Sequence, residues 1–372
     1  MGSNHHSHGW DDADIAGGWP PLETGEVQAL LAGFPDLPGP ARITWRSARP
    51  FSAAARVATA AGEIFVKRLP LKLRTPQALR EEHAFIAHLR QAGLPVPRVL
   101  ADGEGRTTHV RGDWQYEVHA LADGLDLYRD AVSWTPLTRL CHARSAGRML
   151  ARLHRAAAGF APAGRSTHML VARDDLLRAP DLIAAVAAEC ARRPLLAAYL
   201  AERDWRDELA PLLARHRRLQ PQLATLPRQW THGDWHASNL FWSDASDAAE
   251  VASVLDFGLC APTFALYDLA LAIERNAIDW LQDQRGHPDT ARALLAGYAA
   301  LQPLSPQDRQ LLAELLPLVH LDYALSEIDY AHGLLGSRSS ADHAWEGYLL
   351  GHAAWFASPA ATPLLDAVRG DA

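Results

Sequence analysis

The chain changes character near Gly124. Before this residue a short helical pattern covers 22–31, strand-like runs then alternate with turns, and a second helix pattern covers 76–92. The strand-like runs are 41–45, 54–60, 63–69, 99–101, 107–110 and 114–122. From Pro136 to the end the pattern is helical, except for one β-like island at 230–258. We therefore expect a small β-rich part followed by a large, mainly helical part.

Composition narrows the class of protein. The 372 residues are 48% hydrophobic and 21% charged, which is typical of a soluble globular protein with a sizeable core. A net charge of −7 disfavours a nucleic-acid partner. The absence of a long apolar run disfavours a membrane span. Three scattered cysteines, Cys141, Cys190 and Cys260, and the lack of a secretory signal pattern predict a cytoplasmic protein.

The β-like island holds the most informative residues. Thr231-His-Gly-Asp-Trp-His-Ala-Ser-Asn239 precedes a short apolar run, and a polar turn leads to a second run that ends in Leu255-Asp-Phe-Gly258. Two short strands around a polar turn predict a hairpin. The hairpin returns the chain, so Asn239 and Asp256 are expected to lie together, with Asp234 on the loop that enters the hairpin.

Three converging oxygen-bearing side chains suit phosphoryl transfer. One carboxylate can accept the proton of an attacking hydroxyl, while a carboxylate and an amide oxygen hold Mg²⁺ against nucleotide phosphates. Mg²⁺ prefers hard oxygen ligands and keeps several waters, so two protein ligands are enough.

The pattern His-Gly-Asp-x-x-x-x-Asn followed by Leu-Asp-Phe-Gly resembles the aminoglycoside phosphotransferase and choline kinase superfamily, to which type II homoserine kinases belong. The resemblance covers about residues 41–350 and implies a bilobal α+β fold like that of protein kinases. It implies that Asp234 is the catalytic base and that Asn239 and Asp256 are metal ligands. His232 and Asp268 would be structural residues of the catalytic loop.

The resemblance also implies a site for ATP or GTP with Mg²⁺. Lys67, on the third strand, would hold the phosphates and pair with a helix glutamate, Glu82, or with Glu81 as the fallback. A phosphate-covering loop is expected at 49–54, where Ser52 offers a hydroxyl although no Gly-x-Gly-x-x-Gly motif is present. The residues Glu117, His119 and Leu121 mark the predicted hinge, where backbone groups would bind the base.

The acceptor is expected to be a small molecule with a hydroxyl group, because only eleven residues separate Asp256 from Asp268 and leave no room for a peptide-docking segment. Helical spacing predicts one face that combines acids and tyrosines, which suits an amine. The candidate acceptor-binding residues are Glu274, Asp322, Tyr323, Glu327 and Tyr330. The alternative for 320–332 is an amphipathic helix with a solvated acidic side. Arg275 can bind a substrate carboxylate or, as the favoured interpretation, bridge Asp279.

Two other functions stay open at this stage. A metal-dependent hydrolase would use His232, Asp234 and His236 as ligands, and a nucleotide-binding protein without catalysis would keep the same cleft. The expected division is an N-terminal extension at 1–40, a nucleotide-binding lobe at 41–122 and a catalytic, acceptor-binding lobe at 123–372. The sequence does not indicate the oligomeric state or a role for His5, His6 and His8.

Overall fold

A computed structural model describes residues 19–47, 52–129, 131, 134–162, 164–281 and 283–370. The N-terminal histidines and residues 49–51, half of the predicted 49–54 loop, lie outside these ranges. Within them, no helix combines the length and the apolar character that a bilayer span requires. Cys141, Cys190 and Cys260 are free thiols.

The N-terminal part is built on a five-stranded antiparallel sheet in the order β1-β2-β3-β5-β4. The strands are β1 (Arg42–Arg46), β2 (Ala53–Thr59), β3 (Gly62–Pro70), β4 (His109–Arg111) and β5 (Trp114–Ala120). The strand predicted at 99–101 is wrong, because in this segment Val99 alone pairs, through an isolated bridge to His119. Two closely spaced prolines, Pro95 and Pro97, precede Val99 and cannot donate to a ladder.

Two helices belong to this part of the chain, and only the first shares the apolar core of the sheet, because Phe85, Ile86 and Leu89 of the second lie in the large core of the C-terminal part. Helix α1 (Thr24–Leu31) joins its buried side chains to those of the sheet in one apolar core, so part of the predicted N-terminal extension packs within this layer. Helix α2 (Pro76–Gln91) begins where the Thr75 hydroxyl accepts a hydrogen bond from the Ala78 amide at 3.1 Å. The predicted divisions at residues 40 and 122 stay predictions.

The C-terminal part is mostly helical around a large continuous core. Its helices are α3 (Leu140–Ala157), α4 (Asp175–Arg178), α5 (Leu182–Arg192), α6 (Pro194–Ala201), α7 (Trp205–Glu208), α8 (Ala210–Leu223), α9 (Ala265–Asn276), α10 (Pro288–Ala299), α11 (Pro306–Leu315), α12 (Leu321–Ile328), α13 (Arg338–Asp342), α14 (His352–Ala357) and α15 (Thr362–Arg369). Shorter 3₁₀ or π segments extend several of them, including 329–334 and 343–351.

The β island has the predicted hairpin and one further ladder. The remaining strands of the chain are β6 (Gln229–Thr231), β7 (Leu240–Trp242), β8 (Val251–Val254), β9 (Ala261–Thr263), β10 (Ile278–Asp279) and β11 (Arg285–Gly286). β7 pairs with β8 as the hairpin, β6 pairs with β9, and β10 pairs with β11 further along the chain. The β6–β9 ladder holds the two ends of the island together. The mixed architecture is the α+β class expected from the sequence.

Candidate active site

The loop between β6 and β7 carries Asp234 and is held in place by Asp268. The buried Asp268 carboxylate, in the first turn of α9, accepts hydrogen bonds from the backbone amides of His232 at 2.8 Å and Gly233 at 2.9 Å. His154 approaches the same carboxylate through Nε2 at 3.0 Å. Gly233 has a φ of +78°, and a Cβ there would lie 2.7 Å from the Leu259 carbonyl oxygen. The loop therefore has one well-defined path.

Asp234 is held by three neighbours. Arg275 donates to Oδ1 at 2.8 Å, the Asn239 amide donates to Oδ2 at 3.1 Å, and His236 Nε2 lies 3.4 Å from Oδ2. Burial raises the pKa of the Asp234 carboxyl, but the charges of His236 and Arg275 outweigh burial and hold the pKa well below its usual range. Asp234 is therefore an ionised and oriented carboxylate at neutral pH.

The hairpin brings Asn239 and Asp256 together, as the sequence predicts. Leu240 is opposite Val254, and the Leu255 amide donates to the Asn239 carbonyl at 2.9 Å. Asp256 has a φ of +54°, and its partly exposed side chain lies in the cleft. A carboxylate and an amide side chain at the ends of paired strands offer the hard oxygen donors that Mg²⁺ prefers, so these residues fit such an ion.

Lys67 reaches the same point from the sheet. Its Nζ donates to Asp256 Oδ1 at 3.0 Å. Burial lowers the pKa of Lys67, but the nearby carboxylates of Asp256, Glu117 and Glu82 outweigh burial and raise it. Glu117 is opposite Lys67 in the β3–β5 ladder. A permanently charged ammonium is therefore held beside the Asp256 carboxylate.

The predicted Lys67–Glu82 pair is not formed as a direct contact. The ion pair of Glu82 is with Arg165, at 3.6 Å between Arg165 Nη2 and Glu82 Oε2. Glu82 still lines the cleft and contributes to the electrostatic field at Lys67. Glu81, the fallback, pairs with Arg165 Nε at 3.6 Å and caps the Ser166 amide at 2.8 Å.

One cavity of about 510 Å³ joins these groups. The six predicted nucleotide-binding residues all line it, as do Asp234, Asn239 and Asp256. The six are Ser52, Lys67, Glu82, Glu117, His119 and Leu121. The helical part also contributes to the wall, with Trp134, Arg275, Tyr323 and Glu327. A volume of this size suits a small ligand.

The structure divides the predicted acceptor residues into two groups. Tyr323 and Glu327, one helical turn apart on α12, line the cavity. Glu274, Asp322 and Tyr330 do not. Asp322 faces α4 and accepts a hydrogen bond from the Leu176 amide at 3.1 Å, and Tyr330 packs in an apolar cluster beyond Tyr323. The alternative of a solvated acidic side is wrong, because this helix is buried along its whole length.

Glu327 is the unusual acid of the cavity wall. The residue is 2% exposed, and its Oε2 atom has no hydrogen-bond partner in the described part of the chain. Burial raises the pKa of Glu327 to about 8, although the charge of Arg275 acts in the opposite direction. A buried carboxyl without a donor costs free energy unless a ligand supplies one. Glu327 is therefore a buried carboxyl of the cavity wall whose Oε2 atom is left without a partner in the described residues.

Arg275 lies in the site, but in a position that the sequence does not predict. The favoured Asp279 bridge is wrong, because Arg275 donates to Asp234 and its guanidinium lies 4.2 Å from the centre of the Trp134 ring. Helical spacing shows that residue 279 is one turn away from residue 275, but it cannot show that helix α9 passes beneath the Asp234 loop. The buried position of Arg275 follows from that tertiary arrangement alone.

The geometry does not support a hydrolase site of His232, Asp234 and His236. His232 Nε2 bonds the Leu255 carbonyl at 2.9 Å, and its Nδ1 accepts from the Asp234 amide at 3.2 Å. Both ring nitrogens of His232 are therefore used to shape the loop. His236 stays beside Asp234, where Ser238 contacts its Nδ1 at 2.8 Å.

The cleft between a β-rich part and a helical part contains Lys67, Asp234, Asn239 and Asp256. This combination of fold and site defines the class of kinase-like phosphotransferases. Residues 49–314 match the model of the phosphotransferase enzyme family, and the chain belongs to that family. It is 28% identical over 227 residues to a homoserine kinase of Gluconacetobacter diazotrophicus. That alignment covers 60% of this chain and 61% of the relative, so the chain spans about three fifths of the relative's length.

Solved structures share the fold. A microcompartment-associated aminopropanol kinase aligns with a TM-score of 0.60 and 18% identity, covering 93% of this chain and all of that one. An amicoumacin kinase, solved in complex with AMP-PNP, Ca²⁺ and Ami, aligns with a TM-score of 0.55 and 13% identity, covering 91% of this chain and 97% of that one. At such identities the likeness concerns the fold.

Proposed function

We propose that this protein is a small-molecule kinase that transfers the γ-phosphate of ATP or GTP to a hydroxyl of an amine-bearing acceptor. The observation that carries the proposal is the shared cavity. Lys67, Asp256 and Asn239 line it together with Asp234, and so does Glu327, whose Oε2 atom has no partner in the described part of the chain. A nucleotide and a cationic acceptor can thus meet at Asp234.

On the nucleotide side, Lys67 would bind phosphate oxygens, and Glu117, His119 and Leu121 would line the base pocket. Asn239 and Asp256 would hold Mg²⁺. When bound, Mg²⁺ neutralises phosphate charge and orients the γ-phosphate. The Lys67–Asp256 contact places the ammonium that would bind phosphate 3.0 Å from the carboxylate that would bind the metal, so both groups already lie at one point of the cleft.

Asp234 would orient the acceptor hydroxyl. Its lowered pKa makes it a weak base, which suits a loose phosphoryl-transfer transition state in which the proton leaves late. Arg275 on Oδ1 and Asn239 on Oδ2 restrict the carboxylate to one orientation. Asp268 fixes the loop, and His232 shapes it. Positioning and electrostatics would then supply most of the rate.

The amine of the acceptor would pair with Glu327. A charge-assisted contact would satisfy Oε2, and the Tyr323 ring in the same cavity wall offers an aromatic neighbour for an ammonium group. The names of the relatives agree with this chemistry, because homoserine and aminopropanol both carry an amine and a hydroxyl. These names support the acceptor class rather than one particular acceptor.

The direct test is phosphate transfer by purified protein with Mg·ATP or Mg·GTP. Amino alcohols, homoserine, aminoglycosides, thiamine and neutral sugars would be compared by ADP or GDP release. We expect release with an amine-bearing alcohol and not with a neutral sugar of similar size. Efficient transfer to neutral sugars alone would contradict the amine proposal while leaving the kinase proposal intact.

Glu327→Gln gives the sharper prediction. Losing a charged hydrogen bond costs about 1.5–3 kcal/mol, so the KM of the amine acceptor should rise about 10- to 100-fold while the KM of the nucleotide stays the same. The matched control is Asp322→Asn on the same helix, whose carboxyl faces α4 instead of the cavity. Equal effects of the two substitutions on acceptor KM would contradict the role of Glu327.

The division of the chain and its setting are also proposals. We assign nucleotide binding to 41–122 and acceptor binding to 123–372. Three free thiols support a reducing cytoplasm.

A further inference from the structure

Three metal-ligating side chains meet outside the cavity. Glu274 comes from the end of α9, His320 precedes α12, and His352 begins α14. Their exposed fractions are 0%, 3% and 8%. Their ligand atoms lie within 4.8 Å of one another. Segments that are distant in sequence thus deliver two imidazoles and one carboxylate to a single buried point.

The atoms approach one another without forming hydrogen bonds. His352 Nδ1 lies 3.0 Å and His320 Nε2 3.3 Å from Glu274 Oε1. Yet neither carboxylate oxygen and neither of these nitrogens has a hydrogen-bond partner within the described ranges. Ligands at about 2.0–2.1 Å from a tetrahedral zinc ion lie about 3.3 Å apart. Spacing of this kind without hydrogen-bond alignment is what a shared cation produces.

A second cluster in the same chain makes the contrast clear. His83 and His119 each place Nε2 2.8 Å from Glu117 Oε2, and both contacts are hydrogen bonds. Thr107 occupies the other nitrogen of His83, at 2.9 Å. This second cluster also consists of two histidines and one glutamate, but hydrogen bonds satisfy its polar atoms. The polar atoms of the Glu274 cluster have no such hydrogen bonds among themselves.

The surroundings keep the cluster rigid and dry. The Trp280 ring stacks on His352 with centroids 3.5 Å apart, and the Trp134 ring lies parallel to His320 with centroids 5.9 Å apart. Burial of three polar groups without hydrogen bonds lowers the stability of the fold. A bound cation would remove most of that cost.

We propose that Glu274, His320 and His352 bind one transition-metal ion, with Zn²⁺ as the best fit. Two neutral imidazoles and a carboxylate are ligands that Zn²⁺ accepts, whereas Mg²⁺ prefers oxygen. The second Glu274 oxygen or a water completes four ligands. The ion links α9, the segment before α12 and α14, and it supports the Trp134 wall of the cavity from behind. Its role is structural, and it does not depend on the proposed kinase activity.

The test is the metal content of folded protein. The full chain is produced with added Zn²⁺, dialysed against a weak chelator and analysed by inductively coupled plasma mass spectrometry. We expect wild type to hold one equivalent of zinc more than His320→Ala or His352→Ala. The difference between proteins removes any metal held by His5, His6 and His8. Protein grown with Co²⁺ should show the visible absorption of a tetrahedral site, and His320→Ala should lose it.

The matched control is His216→Ala. His216 is 0% exposed and uses one nitrogen on the Leu176 carbonyl, but it has no second ligand beside it within the described ranges. This variant should keep the zinc. Circular dichroism checks that each variant is folded, and Glu274→Gln offers a conservative third substitution. Wild type without tightly bound zinc, or the same zinc content in all folded variants, would overturn the proposal. Kinase activity is not part of either outcome.

Discussion

At the scale of the residue, the site is a set of charges placed at fixed distances. Asp234 is held ionised by Arg275 and His236, while Glu327 is held towards its protonated form by burial. Two carboxyls of one cavity thus have pKa values on opposite sides of neutrality. In the proposed function, the first would orient a hydroxyl at any physiological pH, and the ionisation of the second would depend on the charge of the acceptor.

This difference predicts a pH dependence. Below pH 8 Glu327 is mostly protonated in the free protein, because burial raises its pKa to about 8. An ammonium acceptor needs the ionised form, so its KM should fall about tenfold as pH rises from about 6.5 to 8, at one proton per site. Initial rates at several acceptor concentrations across this pH range give the acceptor KM at each pH. A flat acceptor KM in wild type, or the same slope in Glu327→Gln, would contradict the assignment.

Sequence reasoning found the residues that lie close together along the chain. Asp234, Asn239 and Asp256 fall within 23 residues, and the hairpin that unites them is visible in the pattern. The contact of Arg275 with Asp234 and the missing partner of Glu327 Oε2 were not predictable from the sequence. Both depend on how α9 and α12 cross the loop, and periodicity gives the face of a helix but not its neighbour. Asp322 and Tyr330 share α12 or its extension with Glu327 and yet point elsewhere.

At the scale of the element, the Asp234 loop depends on its glycine. Gly233 has a φ of +78°, and a Cβ would meet the Leu259 carbonyl oxygen at 2.7 Å and the Ala172 methyl at 2.7 Å. Gly233→Ala should therefore lower the free energy of unfolding by about 1–3 kcal/mol and reduce kcat, because the loop must move. Urea denaturation followed by fluorescence measures the stability change.

Gly25→Ala is the matched control. Gly25 lies in α1, no atom comes within 4 Å of the position that a Cβ would take there, and its φ is not positive. Alanine should stabilise the helix slightly at this residue. If both substitutions had the same effect on stability and kcat, the strained loop would not explain the need for glycine at residue 233.

Strand prediction was most accurate for the first three strands of the sheet. Ile64-Phe65-Val66 lies within β3, and the predicted bounds of the first three strands differ from the observed ones by one residue at each end. β9 was missed because its three residues include Pro262. This short strand is recognisable only from its partner β6, which is 30 residues away in the chain.

At the scale of the whole molecule, Arg74 joins the two parts. It precedes α2, is 3% exposed, and donates to the carbonyls of Met169 at 2.7 Å, Leu170 at 2.6 Å and Gly258 at 2.8 Å. Burial lowers the pKa of Arg74 to about 10, with a further contribution from Arg165, so it remains charged at neutral pH. Gly258, which directly follows Phe257, is thereby hydrogen-bonded to the N-terminal part of the chain.

Arg74→Met should break this connection. Leaving buried carbonyls without donors costs about 1–3 kcal/mol each, so we expect the free energy of unfolding to fall by about 3 kcal/mol. Nucleotide affinity should weaken as well, because Asp256 lies two residues from Gly258. Arg80→Met, on the exposed side of α2, is the control and should change neither quantity. Thermal unfolding with and without Mg·ATP would show both effects, and unchanged values in Arg74→Met would contradict this role.

The most direct test of the central claim is phosphate transfer by Asp234→Asn. The change keeps the shape of the side chain but removes the carboxylate that would orient the acceptor hydroxyl. We predict that kcat falls about 10²- to 10⁴-fold while the Kd of Mg·ATP, measured by calorimetry, stays within about twofold of wild type. Product formation with the best acceptor, followed by mass spectrometry, gives the rate. Unchanged turnover in folded Asp234→Asn would contradict the assignment of this cavity as the active site of a kinase.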